Sequence, residues 1–472
     1  MLFNSLTFWI FFPSFFALYF LTIGKVRLWV CLLGSYLFYG WHDWRFLGLI
    51  VVLTGVNYWC GLKIVSSEEG SGRRMYYATF SVVCSLAILG FFKYLNFFYD
   101  SFAGLSQAIG FQFNAGTMGI ILPVGISFYT FQTMSYTIDL YRKEVELERS
   151  LLKFAVFVSF FPQLVAGPIV RAREFIPQLQ KDQIVEWDDL RRGMNILLWG
   201  MVLKVVMADN LAVTVDRAFL EPAEVSGLYL LIGVIFYGFQ IYGDFAGYSL
   251  MAIGIARMLG FRFNRNFDRP YFATSFSDFW KRWHISLSLW LRDYLYIPLG
   301  GNRQGARRTQ INLMLTMLLG GLWHGAAWKF VVWGSLHGAY LVLQRWLSKI
   351  WRAPSLPVNF TSLVGWFAVM VGVFVAWVFF RAQSFGDALI IIEKIVIFDR
   401  FDPSTILRKF FFLKGLLIIC VIFLIEWTSL RIDFDALAKR WPWVNPLFNT
   451  ACLLVLAFLG MFGGGAFIYF QF

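Results

Sequence analysis

Met317-Leu318-Leu319-Gly320-Gly321-Leu322-Trp323-His324-Gly325-Ala326-Ala327-Trp328 is an apolar stretch notched by glycine, and it carries one of only four histidines in 472 residues. It follows an arginine cluster, Arg303, Arg307 and Arg308. Roughly fourteen helical residues separate the two, which at about 1.5 Å each puts His324 on the order of 20 Å below a charged surface. Burying a polar side chain in hydrocarbon is expensive, so an ionisable residue at that depth is a functional candidate by default. Histidine is also the side chain best suited to moving a proton near neutral pH. The alternative is a core histidine satisfied by a neighbouring carbonyl.

Outward from this stretch the chain keeps the same character. Hydrophobic residues make up 59% and charged residues only 15%, against about 25% charged in an ordinary globular domain. Apolar runs of about 20 residues recur from end to end, and the twenty Trp and twenty Tyr suit aromatic belts at headgroup level. The expected class is an all-α polytopic membrane protein. A net charge of +13 then reports cytoplasmic loops, where Lys and Arg gather, and not nucleic-acid binding, for which there is no basic tail or soluble domain. Cys31, Cys60, Cys84, Cys420 and Cys452 fall in apolar segments without a C-x-x-C pair; they read as small hydrophobes, not a disulfide framework.

Hydropathy predicts spans near 5–24, 28–41, 46–64, 76–98, 118–139, 193–214, 227–256, 361–380, 411–430 and 448–470, with a hairpin at 311–325 and 327–344 that spans or re-enters. About 10–12 crossings result. Arg73 and Arg74 mark loop 65–75 as cytoplasmic, whereas 99–116 carries no Lys or Arg; by the positive-inside rule both termini are expected outside. Arg345, Lys349 and Arg352 fall inside on the same count. The apolar segment 151–170 has basic residues on the cytoplasmic side and is interrupted by Pro162, Gly167 and Pro168, so it reads as re-entrant, its irregular backbone shielded by protein. A short amphipathic helix is expected around Asp387–Ile397 in the outer loop 382–410. No internal repeat is visible, and the whole of 1–472 reads as one integral-membrane domain with a catalytic core at about 120–350.

Before the histidine hairpin, Phe276, Trp280, Trp283, Leu287, Trp290, Leu291 and Tyr294 recur at helical spacing beside a polar stripe of Ser277, Lys281, His284, Ser288 and Arg292. That pattern predicts one interfacial helix, either a surface anchor or the lining of a cytoplasmic entrance. Asp244 and Lys204 are charged residues inside predicted spans, read as buried groups that hold helices together or as site residues. His337 reads as packing and His42 as an outer interface residue. No His-x-x-x-His spacing suggests a metal, and no phosphate-loop or dinucleotide glycine pattern occurs.

The run from Phe279-Trp280-Lys281-Arg282-Trp283-His284 to Ile297-Pro298-Leu299-Gly300-Gly301-Asn302-Arg303 resembles the membrane-bound O-acyltransferase family, in its bacterial alginate O-acetylase branch. So do Leu318-Leu319-Gly320-Gly321-Leu322-Trp323-His324-Gly325, Phe160-Phe161-Pro162-Gln163-Leu164-Val165-Ala166-Gly167-Pro168-Ile169 and Gln240-Ile241-Tyr242-Gly243-Asp244-Phe245-Ala246-Gly247-Tyr248-Ser249. The resemblance implies helices around a central funnel, with re-entrant and interfacial helices, in a bacterial inner membrane. It implies a cytoplasmic thioester donor, acetyl-CoA, with no tightly bound cofactor and no metal, and an exported polysaccharide as acceptor. A periplasmic or membrane-tethered acetyltransferase would complete the transfer. His324 is then the expected base and His284 a second catalytic residue. Trp323, Gly325, Arg292, Asp293 and Asp244 are expected at the substrates, and Gly320, Gly321 and Gly325 would let substrate approach the backbone. Leu250 and Ala327 depart from the branch's pattern, where Asp and Asn are common, which leaves the acceptor open. D-alanyl transfer to a teichoic acid is the alternative within the fold. A lipid or sugar transporter is the alternative outside it, though transporters favour paired repeats with broken helices.

Overall fold

The computed structural model describes residues 1–111, 119–350, 358–400, 410–463 and 467–468. Part of loop 99–116, Arg352, part of the outer loop 382–410 and the end of the 448–470 segment lie outside them. The protein is an all-α polytopic membrane protein. Among the described residues six helical segments are long and apolar enough to cross a bilayer: Trp44–Ser66, Gly72–Ala108, Trp187–Leu220, Gly227–Met258, Phe360–Arg381 and Phe411–Thr428. Leu6–Leu21 and Val444–Leu459 are shorter apolar helices. The histidine hairpin forms as two helices, Gly305–His324 and Trp328–Ile350, and the amphipathic helix of the outer loop runs Phe385–Val396, opened by a capping box between Ser384 and Asp387. Helices such as Phe410–Thr428 turn Leu413, Leu416, Leu417, Val421 and Leu424 outward, as a lipid-facing surface requires. All five cysteines are free; Cys31, Cys60 and Cys452 are buried, while Cys420 is exposed on that same helix.

The chain divides into two compact units, Met1–Met194 with Ala252–Asn264, and Asn195–Met251 with Arg265–Phe472. In the first, helix Ile126–Arg142 is buried along nearly its whole length. The ring of Phe161 sits among Phe8, Phe11, Phe15 and Phe38. The segment 151–170 breaks as its prolines and glycine require: helix Leu151–Ser159 stops, a short turn Phe161–Leu164 follows, and residues 160–170 are all buried. The break frees backbone groups that must find partners away from water. The Phe157 carbonyl accepts from the Gln132 amide at 2.8 Å and the Gln163 amide at 2.6 Å, and the Phe161 N–H donates to Ser35 Oγ at 3.1 Å.

In the second unit, the Trp187–Leu220 segment contains a π-helical turn at Val202–Ala208. A π turn aligns residues five apart, which an α-helix does not. Lys204 therefore reaches Asp209, with Nζ 2.8 Å from Oδ1, and also meets Asp244 on the neighbouring helix at 2.6 Å. The other Asp244 oxygen accepts the Ile468 N–H at 2.7 Å. All three charged residues are 5% exposed or less.

Candidate active site

The site residues belong to the second unit. His324 is the last residue of helix Gly305–His324, where the backbone turns extended at Gly325. It is 3% exposed, and its ring is met by Trp323 at 5.1 Å, Trp333 at 4.9 Å and Phe380 at 5.5 Å between centroids. Gly320, Gly321 and Gly325, expected to let substrate approach the backbone, are themselves closely approached by protein atoms. A methyl group on Gly321 would collide with the Phe330 carbonyl and Gly334, one on Gly325 with the Phe330 ring, and one on Gly320 would press on Leu291 at 3.1 Å. The glycines let the two arms of the hairpin approach backbone to backbone, and Gly334 makes the reciprocal approach to Met317.

The single interfacial helix expected over 276–294 is broken. Helix Phe276–Arg282 ends, Trp283 is extended, and His284 takes a left-handed conformation at φ 42° before helix Ile285–Leu291 begins; a π-helical turn, Arg292–Tyr296, follows. A non-glycine residue in that region costs on the order of 1–3 kcal/mol. The kink takes His284 off the polar stripe and buries it completely. Its imidazole lies edge-on to Phe245 at 4.6 Å and Trp323 at 5.8 Å, and burial pushes its pKa from 6.5 down to about 3. Asn266, absent from the sequence expectations, holds it: His284 Nδ1 is 3.1 Å from Asn266 Oδ1. The same oxygen accepts from the Ser286 N–H at 3.2 Å and hydroxyl at 2.8 Å, and Asn266 Nδ2 donates to Ser249 Oγ at 3.0 Å.

Two of the expected residues, His324 and His284, thus flank a third, Trp323. His337 continues the row beyond Trp333, 4.7 Å away, and lies flat on Phe279. It is fully buried, with neither ring nitrogen hydrogen-bonded among the described residues. Asp244 is engaged by Lys204, while its chain neighbour Phe245 is what touches His284. Arg292 is exposed and paired with Asp293 through two contacts, at 2.6 and 3.2 Å. His42 is exposed. Among the basic loop residues, Arg269 and Arg282 pair with Asp268 and Asp278, whereas Arg303, Arg307 and Arg308 are exposed. Sequence patterning had no access to Asn266, Trp333 or Phe380: the first lies in a loop without periodicity, and the others read as ordinary apolar span residues.

A buried imidazole at the carbonyl end of a helix suits a base. The helix's unsatisfied carbonyls carry partial negative charge, worth up to about 2 kcal/mol to a cation in a partly buried setting. That favours the imidazolium formed when a hydroxyl proton is taken. The fold is that of a membrane O-acyltransferase, and the chain belongs to the membrane-bound O-acyltransferase family, which matches residues 144–385. The chain is 43% identical to the probable alginate O-acetylase of Azotobacter vinelandii over 82% of this chain and 76% of that one. It is 32% identical to the peptidoglycan O-acetyltransferase of Helicobacter pylori over 94% and 91%. To the teichoic acid D-alanyltransferase of Streptococcus thermophilus it is 30% identical, over 50% and 60%. The family match spans both candidate histidines and Asn266.

Proposed function

We propose that this enzyme takes an acetyl group from a cytoplasmic thioester, acetyl-CoA, and delivers it for O-acetylation of an exported polysaccharide, with His324 as the general base. The acceptor hydroxyl oxygen attacks the thioester carbonyl carbon. A C–O bond forms, the C–S bond breaks, and the hydroxyl proton passes to the His324 imidazole and on to the departing thiolate. General-base assistance of this kind is worth typically 10²–10⁴-fold. The supporting observation is the buried His324 ring at a helix C-terminus, walled by Trp323, Trp333 and Phe380, with His284 also against Trp323. His284 assists by accepting a hydrogen bond from the acceptor hydroxyl, and Gly325 fixes the turn at the base.

The exposed Arg303, Arg307 and Arg308 would draw the donor's phosphates to the cytoplasmic mouth of a funnel. Arg292 and Asp293 would lie at that entrance. The protein would sit in a bacterial inner membrane with its N-terminus outside. A periplasmic or membrane-tethered acetyltransferase would complete transfer to the polymer. Acetyl is favoured over D-alanyl because the acetylase relatives align over most of the chain and the D-alanyltransferase over half.

The test is coenzyme A release and ester-linked acetyl in proteoliposomes loaded with acetyl-CoA and the partner enzyme. His324→Ala should lose on the order of 10²-fold or more while eluting as a single folded species. Unchanged turnover in that folded variant would remove His324 from the chemistry.

A further inference from the structure

The hydrogen bonds around Asn266 determine which nitrogen of His284 carries its proton. The side-chain oxygen and nitrogen of an asparagine are told apart by their partners. A backbone N–H can only donate, and the Ser286 N–H points at the atom placed as Oδ1, 3.2 Å away. That atom must therefore be the carbonyl oxygen, and the amide nitrogen faces Ser249 Oγ. His284 Nδ1 stands 3.1 Å from the same oxygen. An oxygen that only accepts requires a nitrogen that donates, so Nδ1 bears the hydrogen, and in a neutral imidazole Nε2 is then the nitrogen with the lone pair.

We infer that Asn266 is a positioning residue for the transfer reaction: it locks buried His284 in the Nδ1–H tautomer, so that Nε2 is the atom that accepts a proton or hydrogen bond from substrate. This rests on the reading of His284 as a catalytic residue beside His324. The backbone serves the same end. The Ile285 N–H donates to the Asn266 carbonyl at 2.8 Å, tying the left-handed kink at His284 to the Asn266 loop. Both Asn266 and Ser249 are 1% exposed. Water therefore does not compete for the amide, and loss of the asparagine would leave the imidazole to choose its tautomer from whatever else surrounds it.

With four histidines in the chain, the tautomer is directly observable. Full-length protein labelled with ¹⁵N in the imidazoles and held in nanodiscs should show, for the signal missing in His284→Gln, a protonated Nδ1 and an unprotonated Nε2. Asn266→Leu should redistribute that signal towards the Nε2–H form and lower kcat by about tenfold or more, with KM little changed, since the wrong tautomer misplaces the lone pair. Asn266→Asp, whose carboxylate also accepts from Nδ1–H, should keep the tautomer and recover most of kcat. An Nε2–H signal in the wild type would overturn the assignment. So would an Asn266→Leu protein that loses activity with its His284 spectrum unchanged. The spectrum is read without turnover, so an active His324→Ala protein would remove the proton-transfer reading and leave the tautomer result standing.

Discussion

Two buried polar clusters in the same unit solve the burial problem in opposite ways. Lys204 lies between two carboxylates, its ammonium 2.8 Å from Asp209 and 2.6 Å from Asp244. His324 and His284 are surrounded by aromatic rings, with a hydrogen-bonded asparagine beside His284. The ion cluster joins side chains of two helices through one ammonium, whereas an imidazole can gain a proton and return it near neutral pH. In the proposed reaction the first arrangement holds helices in register and the second supplies the base.

The sharpest way to break the contrast is Lys204→Met. Removing the ammonium strands two carboxylates in the interior, and breaking a buried pair costs about 3–5 kcal/mol. Folded yield and thermal midpoint in detergent should collapse, and Asp209→Asn with Asp244→Asn in the same chain should restore part of both. A well-folded Lys204→Met protein lacking only turnover would move the cluster into the active site. Next in size is Gly321→Leu. Its side chain would meet the Phe330 carbonyl and Gly334, and overpacking of this kind costs typically 1–3 kcal/mol. The measurement is again the midpoint, and an unshifted value would show that the hairpin can open there.

Acidification gives a smaller, graded effect. His284 titrates near 3 when buried, against 6.5 ordinarily, so between those values the unfolded chain binds a proton the folded one refuses. Stability should fall as pH drops below about 6.5, and more steeply in wild type than in His284→Gln; equal slopes would show that His284 takes up its proton without unfolding. The smallest effect is expected for His337→Phe. Exchanging a buried imidazole that lacks hydrogen bonds for an apolar ring of similar shape is nearly neutral or stabilising. Turnover should stay within about twofold; a large loss would extend the reactive row past Trp333.

The sequence makes the class of fold legible because hydropathy acts over whole helices: Trp44–Ser66, Gly227–Met258, Phe360–Arg381 and Phe411–Thr428 fall on predicted apolar segments, whereas Gly72–Ala108 continues as helix into residues read as the loop 99–116. The break in 151–170 is legible as well, since Pro162, Gly167 and Pro168 carry their backbone preferences with them. The kink at His284 is not, because no local propensity places a histidine in the left-handed region. Periodicity therefore extended one helix through it. The glycines of the hairpin were legible as close-approach positions, but what approaches them, Phe330 and Gly334, is set by the turn at 325–327 and by tertiary packing. His324 was found through depth and charge contrast. Asn266 could be found only once the loop before helix Phe276–Arg282 lay against Ser249 and His284.

The π turn at Val202–Ala208 has a further consequence for how this segment tolerates change in length. Each residue of an α-helix advances the face by about 100°, and a π turn accommodates one additional residue within an otherwise α-helical rod. Deleting a single residue from 202–208 would let the rod become uniformly α-helical, with every backbone hydrogen bond intact. It would also change the rotational phase between Trp187–Met201 and Asp209–Leu220, turning Asp209, Leu211 and Val215 away from the faces they now occupy. A one-residue deletion here is thus a phase error that local helix stability would reward, and composition or hydropathy would not register it.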